Sequence, residues 1–197
     1  IDRFLASVEA YRIPAILVFN KIDLYDEDDL MLLGALTQIY MEIGYECLHV
    51  SSLTGEGVED VVAVLKDKVT VFSGLSGVGK SSLINRVEPG LQLKVAEISE
   101  SHDTGKHTTT FAEMFPLSFG GYIVDTPGIR AFGLIHMEKA EISHYFKRAK
   151  DCRFYNCTHI HEPGCAVIQA VEDGEISESR YFSYTSMFEE GEEKYRK

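Results

Sequence analysis

The chain has 197 residues, and 19 Lys and Arg against 31 Asp and Glu give it a formal net charge of −12. With 45% apolar and 25% charged residues, the composition excludes a disordered chain and fits one globular domain or two small ones. No apolar run reaches the roughly 18 residues that span a bilayer, and the start lacks the plan of a signal peptide, so a soluble cytoplasmic protein without membrane contact is predicted. The acidity argues against nucleic-acid binding, except through a local basic patch.

The first eleven residues have the period of a helix, with Phe4, Leu5 and Val8 on one side. The chain opens on Ile1 rather than Met, already inside this helix. This start predicts a fragment of a longer protein, whose upstream portion is not part of the sequence.

Between residues 13 and 125, short apolar runs alternate with helical stretches, which predicts a parallel sheet flanked by helices. The candidate strands cover residues 13–19, 46–50, 69–73, 109–115 and 122–124. The candidate helices cover residues 28–43, 58–67 and 80–87. Polar residues follow the strands directly, and ligands bind at the carboxyl ends of strands in open α/β sheets. The loops there are therefore the predicted site.

The character of the chain changes after Arg130. A polar stretch over residues 94–107 predicts a long loop before that point. The remainder is predicted as a helix, a loop rich in metal-ligating residues and a second helix, over residues 138–150, 152–165 and 177–190. A boundary near residue 134 then separates an α/β domain (1–134) from a small helical domain (135–197).

The sequence G-L-S-G-V-G-K-S at residues 74–81 lies between a predicted strand and a predicted helix, the setting of a phosphate-binding loop. Glycines let backbone N–H groups turn toward phosphate oxygens, and the helix N-terminus adds its dipole. Lys80 is predicted to reach the β- and γ-phosphates, and Ser81 to bind Mg²⁺. The alternative is a glycine-rich turn that only caps a helix. The predicted nucleotide-binding residues of this segment are Gly74, Leu75, Ser76, Gly77, Val78, Gly79, Lys80, Ser81 and Ser82.

The sequence N-K-I-D at residues 20–23 directly follows the first predicted strand. Asp23 can accept two hydrogen bonds from guanine, while Asn20 holds the loop and the stem of Lys21 covers the base. Alone, the motif is weak and also fits a helix cap. A second loop follows the next strand and is predicted to support the base through Ser51, Ser52 and Leu53. Beside a phosphate loop in one domain, the two segments point to a guanine nucleotide, GTP or GDP.

Two further segments are candidate switch regions that respond to the γ-phosphate. In D-T-P-G, Asp125 is predicted to hold Mg²⁺ through water and Gly128 to offer its N–H to the γ-phosphate. In G-K-H-T-T-T, Thr108 or Thr109 is predicted to bind Mg²⁺. A turn and an ordinary strand start are the respective alternatives.

The residue after Gly128 is Ile129, where many GTPases carry the Gln that orients the attacking water. An aliphatic side chain cannot hydrogen-bond water, so turnover is expected to be slow or to use another group. His107 adjoins the threonines, and a neutral imidazole suits this work, so His107 is the predicted catalytic residue. An exposed loop histidine without such a role is the alternative.

Three cysteines and a histidine within fourteen residues predict a closed site for one structural Zn²⁺. The predicted ligands are Cys152, Cys157, His159 and Cys165. His161 as the fourth ligand and a disulfide are the alternatives. Cys47, on a predicted strand, is expected to be a buried apolar residue.

The motif order is rotated, because the base-reading segments precede the phosphate loop. With G-L-S-G-V-G-K-S-S-L, G-K-H-T-T-T, D-T-P-G and the trailing Cys/His cluster, the chain resembles the YjeQ/RsgA family of ribosome-assembly GTPases. The resemblance implies a circularly permuted P-loop GTPase domain of the α/β class, followed by a small α-helical zinc-binding domain. It also implies an N-terminal OB-fold, to which nothing in this chain corresponds.

The resemblance further implies a partner and an activity. The expected activity is hydrolysis of GTP in late maturation of the small ribosomal subunit, stimulated by that subunit and involving contact with its rRNA. The alternative is a GTP-sensing RNA-binding scaffold whose turnover is incidental. A monomer is expected in either case.

Overall fold

The computed structural model describes residues 1–93, 113–125 and 142–193. The chain divides into two compact units: the α/β unit, Ile16–Ala131, and the C-terminal unit, in which Ile1–Ala15 joins Phe132–Lys197. The helices are α1 (Asp2–Ala10), α2 (Glu27–Glu42), α3 (Val58–Leu65), α4 (Lys80–Val87), α5 (Ala166–Glu172) and α6 (Glu178–Glu193). The strands are β1 (Ile16–Asn20), β2 (Glu46–Val50), β3 (Val69–Val71), β4 (Glu113–Pro116) and β5 (Tyr122–Asp125).

The described strands form two sheets, which corrects the prediction of a single parallel sheet. Strands β1 and β2 are parallel, with Asn20 opposite Val50. Strand β5 pairs in parallel with β3 and antiparallel with β4. The antiparallel pairing follows from the short turn at residues 117–121, because a parallel pair needs a long crossover connection.

The first strand is shorter than predicted, since it begins at Ile16 rather than at residue 13. Pro14 has no backbone N–H to give to a ladder, and Arg12 has a positive φ of 55°. The predicted strand at 109–115 is described only from Glu113, where β4 begins. The predicted loop at residues 94–107 lies outside the described residues.

One core lies beneath the loops of the α/β unit. Val50 at the end of β2 and Ile123 in β5 are fully buried, and α3 and α4 pack their apolar sides onto them. The core residues of α3 and α4 are Val61, Leu65, Leu83, Ile84 and Val87. Because α4 is fixed in this way, the loop that precedes it has a rigid support.

Helix α1 packs in the C-terminal unit, although the sequence placed it in the 1–134 domain. Its Leu5 and Ala6 are buried, and the Asp2 carboxylate lies 3.4 Å from Nε of Arg180 on α6. The Tyr145 hydroxyl also donates to Asp2, at 3.2 Å. This buried ion pair ties the start of the chain to α6. The boundary predicted near residue 134 lies outside the described residues.

The predicted helix at 138–150 is wrong from residue 143 on, where the chain forms two 3₁₀ turns, Ser143–Tyr145 and Lys147–Asp151. Phe146 between them is extended, with φ −91° and ψ 135°, and its buried ring packs on Tyr184. Helix α5 was not predicted. Its N-cap is Cys165, whose Sγ accepts from the backbone N–H of Ile168 at 3.5 Å, and cysteine is not a typical capping residue.

Across the ranges the structure describes, none of the helices combines the length and apolar character needed to cross a membrane.

Candidate functional site

The phosphate loop connects β3 to α4, as the sequence predicts. The Lys80 ammonium donates to the carbonyl oxygens of Gly74 and Leu75, at 2.8 and 2.7 Å. The backbone therefore curves around the charged end of this side chain, and Ser76 and Gly77 form the exposed outer part of the turn. The predicted hydroxyl residues, Ser81 and Ser82, lie in the first turn of α4. This arrangement directs a positive charge and a helix N-terminus at one place, as a phosphate requires.

Asn20 joins the phosphate loop to both base-reading segments. From the end of β1, its Nδ2 donates to the carbonyl oxygen of Val78 at 3.0 Å, and its Oδ1 accepts from the backbone N–H of Ser52 at 3.1 Å. Gly79, with φ 91°, has no room for a side chain, because an added Cβ would collide with Asn20 Nδ2. Three segments far apart in sequence thus form one site.

The Ser51 side chain orients Asp23. The sequence predicted only that the backbone of this loop supports the base. The Ser51 hydroxyl donates to Asp23 Oδ1 and accepts from the backbone N–H of Thr54 at 3.0 Å. Ser51 is fully buried, whereas the Asp23 carboxylate is exposed. Lys21 beside it has a left-handed backbone (φ 70°), and Leu53 in the second loop is exposed. The carboxylate is therefore held in one direction at an open surface, as an acceptor for a ligand must be.

Asp125 ends β5, which runs parallel to β3 with Val124 opposite Val71. The end of β5 therefore lies at the same sheet edge as the phosphate loop. The other switch predictions fall outside the described residues and stay predictions: His107, Thr108, Thr109 and Gly128.

The four predicted metal ligands come together in the C-terminal unit. The ligating atoms of Cys152, Cys157, His159 and Cys165 all lie within 4.8 Å of one another. Sγ of Cys152 is 3.8 Å from Sγ of Cys165, and His159 Nδ1 is 3.5 and 3.3 Å from these two sulfurs. A tetrahedral zinc with Zn–S near 2.3 Å and Zn–N near 2.0–2.1 Å gives edges of about 3.8 and 3.5 Å. The donor set therefore fits zinc in kind and in spacing.

His159 is held in the tautomer that a metal needs. Its Nε2 lies 2.7 Å from the carbonyl oxygen of Ser143, which can only accept, so Nε2 carries the proton and Nδ1 presents its lone pair to the sulfurs. The residue has a left-handed backbone (φ 58°), and its own carbonyl oxygen accepts from the Tyr181 hydroxyl at 2.8 Å.

Glu162 shapes the turn around His159, a role that no motif in the sequence indicates. Its carboxylate accepts from the backbone N–H groups of Thr158, Ile160 and His161 at 2.8, 3.2 and 3.3 Å, and from the Thr158 hydroxyl. Burial would raise the pKa of this carboxyl, but these hydrogen bonds outweigh it and lower the pKa to about 2. A fixed anion therefore holds the left-handed turn.

The alternatives weighed for the cysteines find no support. All four cysteines are free thiols. His161 is exposed and is not among the clustered ligands of the described residues. Cys47 lies on β2 and is half-buried rather than buried.

The fold and the site define a circularly permuted P-loop GTPase domain followed by a small helical unit with a candidate zinc site, which confirms the predicted fold class. A model of the RsgA GTPase family matches residues 1–135. The chain belongs to the RsgA GTPase family.

Named relatives and solved structures agree with this assignment. The chain is 59% and 55% identical over its whole length to proteins named "Small ribosomal subunit biogenesis GTPase RsgA" from Bacteroides fragilis and Porphyromonas gingivalis, and spans 65% of each. YjeQ from Thermotoga maritima has a crystal structure that matches 96% of this chain, with a TM-score of 0.84 and 44% identity; the match covers 64% of YjeQ. YloQ, described as a circularly permuted GTPase, matches the whole chain with a TM-score of 0.79 and 34% identity over 63% of its own length.

Proposed function

We propose that the protein binds GTP with Mg²⁺, hydrolyses it to GDP and phosphate, and acts in maturation of the small ribosomal subunit. The observation that carries the proposal is the hydrogen bonding of Asn20, which joins the N-K-I-D segment to the phosphate loop and to the loop after β2. A P-loop alone accepts many nucleotides. A P-loop that Asn20 joins to the segment carrying a directed Asp23 carboxylate favours guanine, because guanine offers the N1–H and 2-amino donors that adenine lacks.

The phosphate end of the site supplies the remaining chemistry. Lys80 would bind the β- and γ-phosphates, and Ser81 and Asp125 would hold Mg²⁺, which neutralises charge on the phosphates. Water attacks the γ-phosphorus, the bond to the β–γ bridging oxygen breaks, and GDP leaves with that oxygen. His107 is our candidate for orienting the water, since Ile129 cannot.

The expected turnover test compares GTP hydrolysis by the full-length protein with and without small ribosomal subunits. Subunits should raise the rate strongly, and His107→Ala should keep nucleotide affinity while losing most of this stimulation, because only the water loses its partner. Stimulation in the variant equal to that of the parent would move the catalytic role away from His107. A GTP turnover rate that subunits do not change would favour the alternative of a GTP-sensing scaffold. Ile129 in the Gln position is compatible with that alternative, because it leaves the attacking water without a hydrogen-bond partner at this position.

A contact with rRNA is supported by the basic-aromatic segment, residues 147–155, which includes Cys152 and ends two residues before Cys157. In a chain of net charge −12, it carries four cations and one carboxylate: Lys147, Arg148, Lys150, Arg153 and Asp151. Arg148 is paired with Glu175 through Nε at 2.9 Å, whereas Lys150 and Arg153 are exposed.

Aromatic side chains accompany these cations. The Arg153 guanidinium lies 5.4 Å from the centre of the Phe154 ring, and the Tyr155 side chain is 92% exposed. Cations attract phosphates, and exposed rings stack on unpaired bases at roughly 1–3 kcal/mol per base. We therefore place an rRNA contact on this segment.

Tyr155→Ala is expected to weaken binding of a single-stranded RNA oligonucleotide about tenfold, the effect of one lost stacking contact. Tyr11→Ala is the matched control, because Tyr11 is a 69% exposed tyrosine of the same unit that lies outside the segment. Fluorescence anisotropy at fixed salt measures both variants. Equal affinities for the parent and Tyr155→Ala would remove Tyr155 from the contact.

The C-terminal unit would hold one structural Zn²⁺ per chain through Cys152, Cys157, His159 and Cys165. The metal would cross-link the 152–165 loop to itself and would fix Cys165, the N-cap of α5, to Cys152, Cys157 and His159. We place the protein in the cytoplasm, as a monomer, in keeping with an assembly factor that visits a much larger particle.

A further inference from the structure

One side chain of α4 contacts the base loop, defined here as residues 51–55. Arg86, in the last turn of α4, donates from Nη2 to the carbonyl oxygen of Thr54 at 3.3 Å. Neither the phosphate-loop motif nor the N-K-x-D motif includes this arginine. We propose that Arg86 is a positioning residue for base recognition, which holds the loop whose Ser51 orients Asp23. The inference rests on the proposed function, because it concerns guanine binding at the same site.

A short series of hydrogen bonds connects Arg86 to Asp23. The carbonyl oxygen of Thr54 accepts a hydrogen bond from Arg86, and the backbone N–H of Thr54 donates to Ser51 Oγ at 3.0 Å. The Ser51 hydroxyl then donates to Asp23 Oδ1. The N–H of Gly55 closes the turn on the Ser51 carbonyl oxygen at 2.8 Å. A displacement of Thr54 would therefore reach the carboxylate that faces the base.

Gly55 makes room for the arginine. Its φ of 96° is left-handed, and a Cβ built on it would lie 2.6 Å from Arg86 Nη2. The flat guanidinium can therefore lie directly against the loop backbone. A lysine ammonium is a compact point charge without this planar fork, so it does not reproduce the contact.

Helix α4 gives the contact a rigid origin. It begins with Lys80 in the phosphate loop, and Arg86 follows six residues later, about 9 Å along the axis at 1.5 Å per residue. Between and beside them, Leu83, Ile84 and Val87 are buried in the core. The same fixed helix thus holds the phosphate end of the site directly and the base end through Arg86.

The contact is better suited to positioning than to stability. Arg86 and Thr54 are both exposed, so water can replace the hydrogen bond when the side chain is removed. The free energy of unfolding should therefore hardly change in Arg86→Ala, whereas the base loop loses one of the contacts that fix its orientation. This difference separates a positioning role from a merely structural one.

The test measures equilibrium binding of GDP and of IDP, whose base lacks the 2-amino group, to the full-length protein. Arg86→Ala is expected to weaken GDP about fivefold, because a less restrained base loop directs the Asp23 carboxylate less well at the two guanine donors, and to weaken IDP less. Arg86→Lys should resemble Arg86→Ala. Lys66→Ala removes the same charge from an exposed position at the end of α3 and should match the parent.

A double-mutant cycle identifies the route. Ser51→Ala already breaks the link to Asp23, so adding Arg86→Ala should cost clearly less than in the parent background. Additive losses, equal losses of GDP and IDP, or a GDP affinity unchanged by Arg86→Ala would each overturn the inference and leave the proposed function standing. A parent protein that binds no GDP would overturn both.

Discussion

Cys157→Ser is expected to remove the bound zinc and to unfold the C-terminal unit. A serine hydroxyl stays protonated at neutral pH and is a poor zinc ligand, whereas thiolates hold structural zinc with apparent free energies of roughly 10–16 kcal/mol in small domains. The described core of this unit includes the cluster, with Cys157 and Cys165 among its buried members. The folding free energy should therefore depend on the metal.

Metal analysis and hydrogen exchange measure this prediction together. The variant should contain no stoichiometric zinc, and exchange should accelerate over residues 142–193, while β1, β2 and α4 remain protected. Cys47→Ser is the matched control, because Cys47 is half-buried on β2 and does not belong to the cluster. Zinc-free parent protein with intact thiols, or a Cys157→Ser variant that retains zinc, would contradict the proposed site.

Asp23→Asn is expected to weaken GDP binding by about 10²- to 10⁴-fold, since the site loses a charged acceptor for two guanine donors. The asparagine amide instead donates to a 2-oxo group, so xanthosine diphosphate should bind better to the variant than to the parent. Ser51 should keep the side chain in place, because its hydroxyl can bond to an amide oxygen as it does to the carboxylate.

Titration of GDP, ADP and xanthosine diphosphate against parent and variant tests this reversal. Asp28→Asn removes an equal charge from the first turn of α2 and should leave all three affinities unchanged. A GDP affinity that Asp23→Asn leaves intact would show that guanine is recognised elsewhere, and equal GDP and ADP affinities in the parent would argue against guanine selectivity as such.

Much of the fold was predictable because its signals are local. The strand β2 has the predicted bounds, and the phosphate loop lies between strand and helix as its glycines and Lys80 require. The cysteine cluster was predictable from residue types alone, since thiolates and imidazole at short spacing have few other uses. The errors fall where tertiary context overrides the pattern. The backbone of Phe146 is extended and its ring is buried, and Sγ of Cys165 caps α5 while it also faces the other cysteine sulfurs.

The sequence by itself determined which chemical groups the protein has and in what order. It identified the base-reading, phosphate-binding and metal-binding segments, because each depends on residue types within a few positions of one another. Only the tertiary structure decided how they are joined: Asn20 to the phosphate loop, Arg86 to Thr54, Glu162 around the His159 turn, and α1 to α6. Those contacts depend on packing between segments distant in sequence or on a left-handed backbone, and neither leaves a periodic signal in the chain.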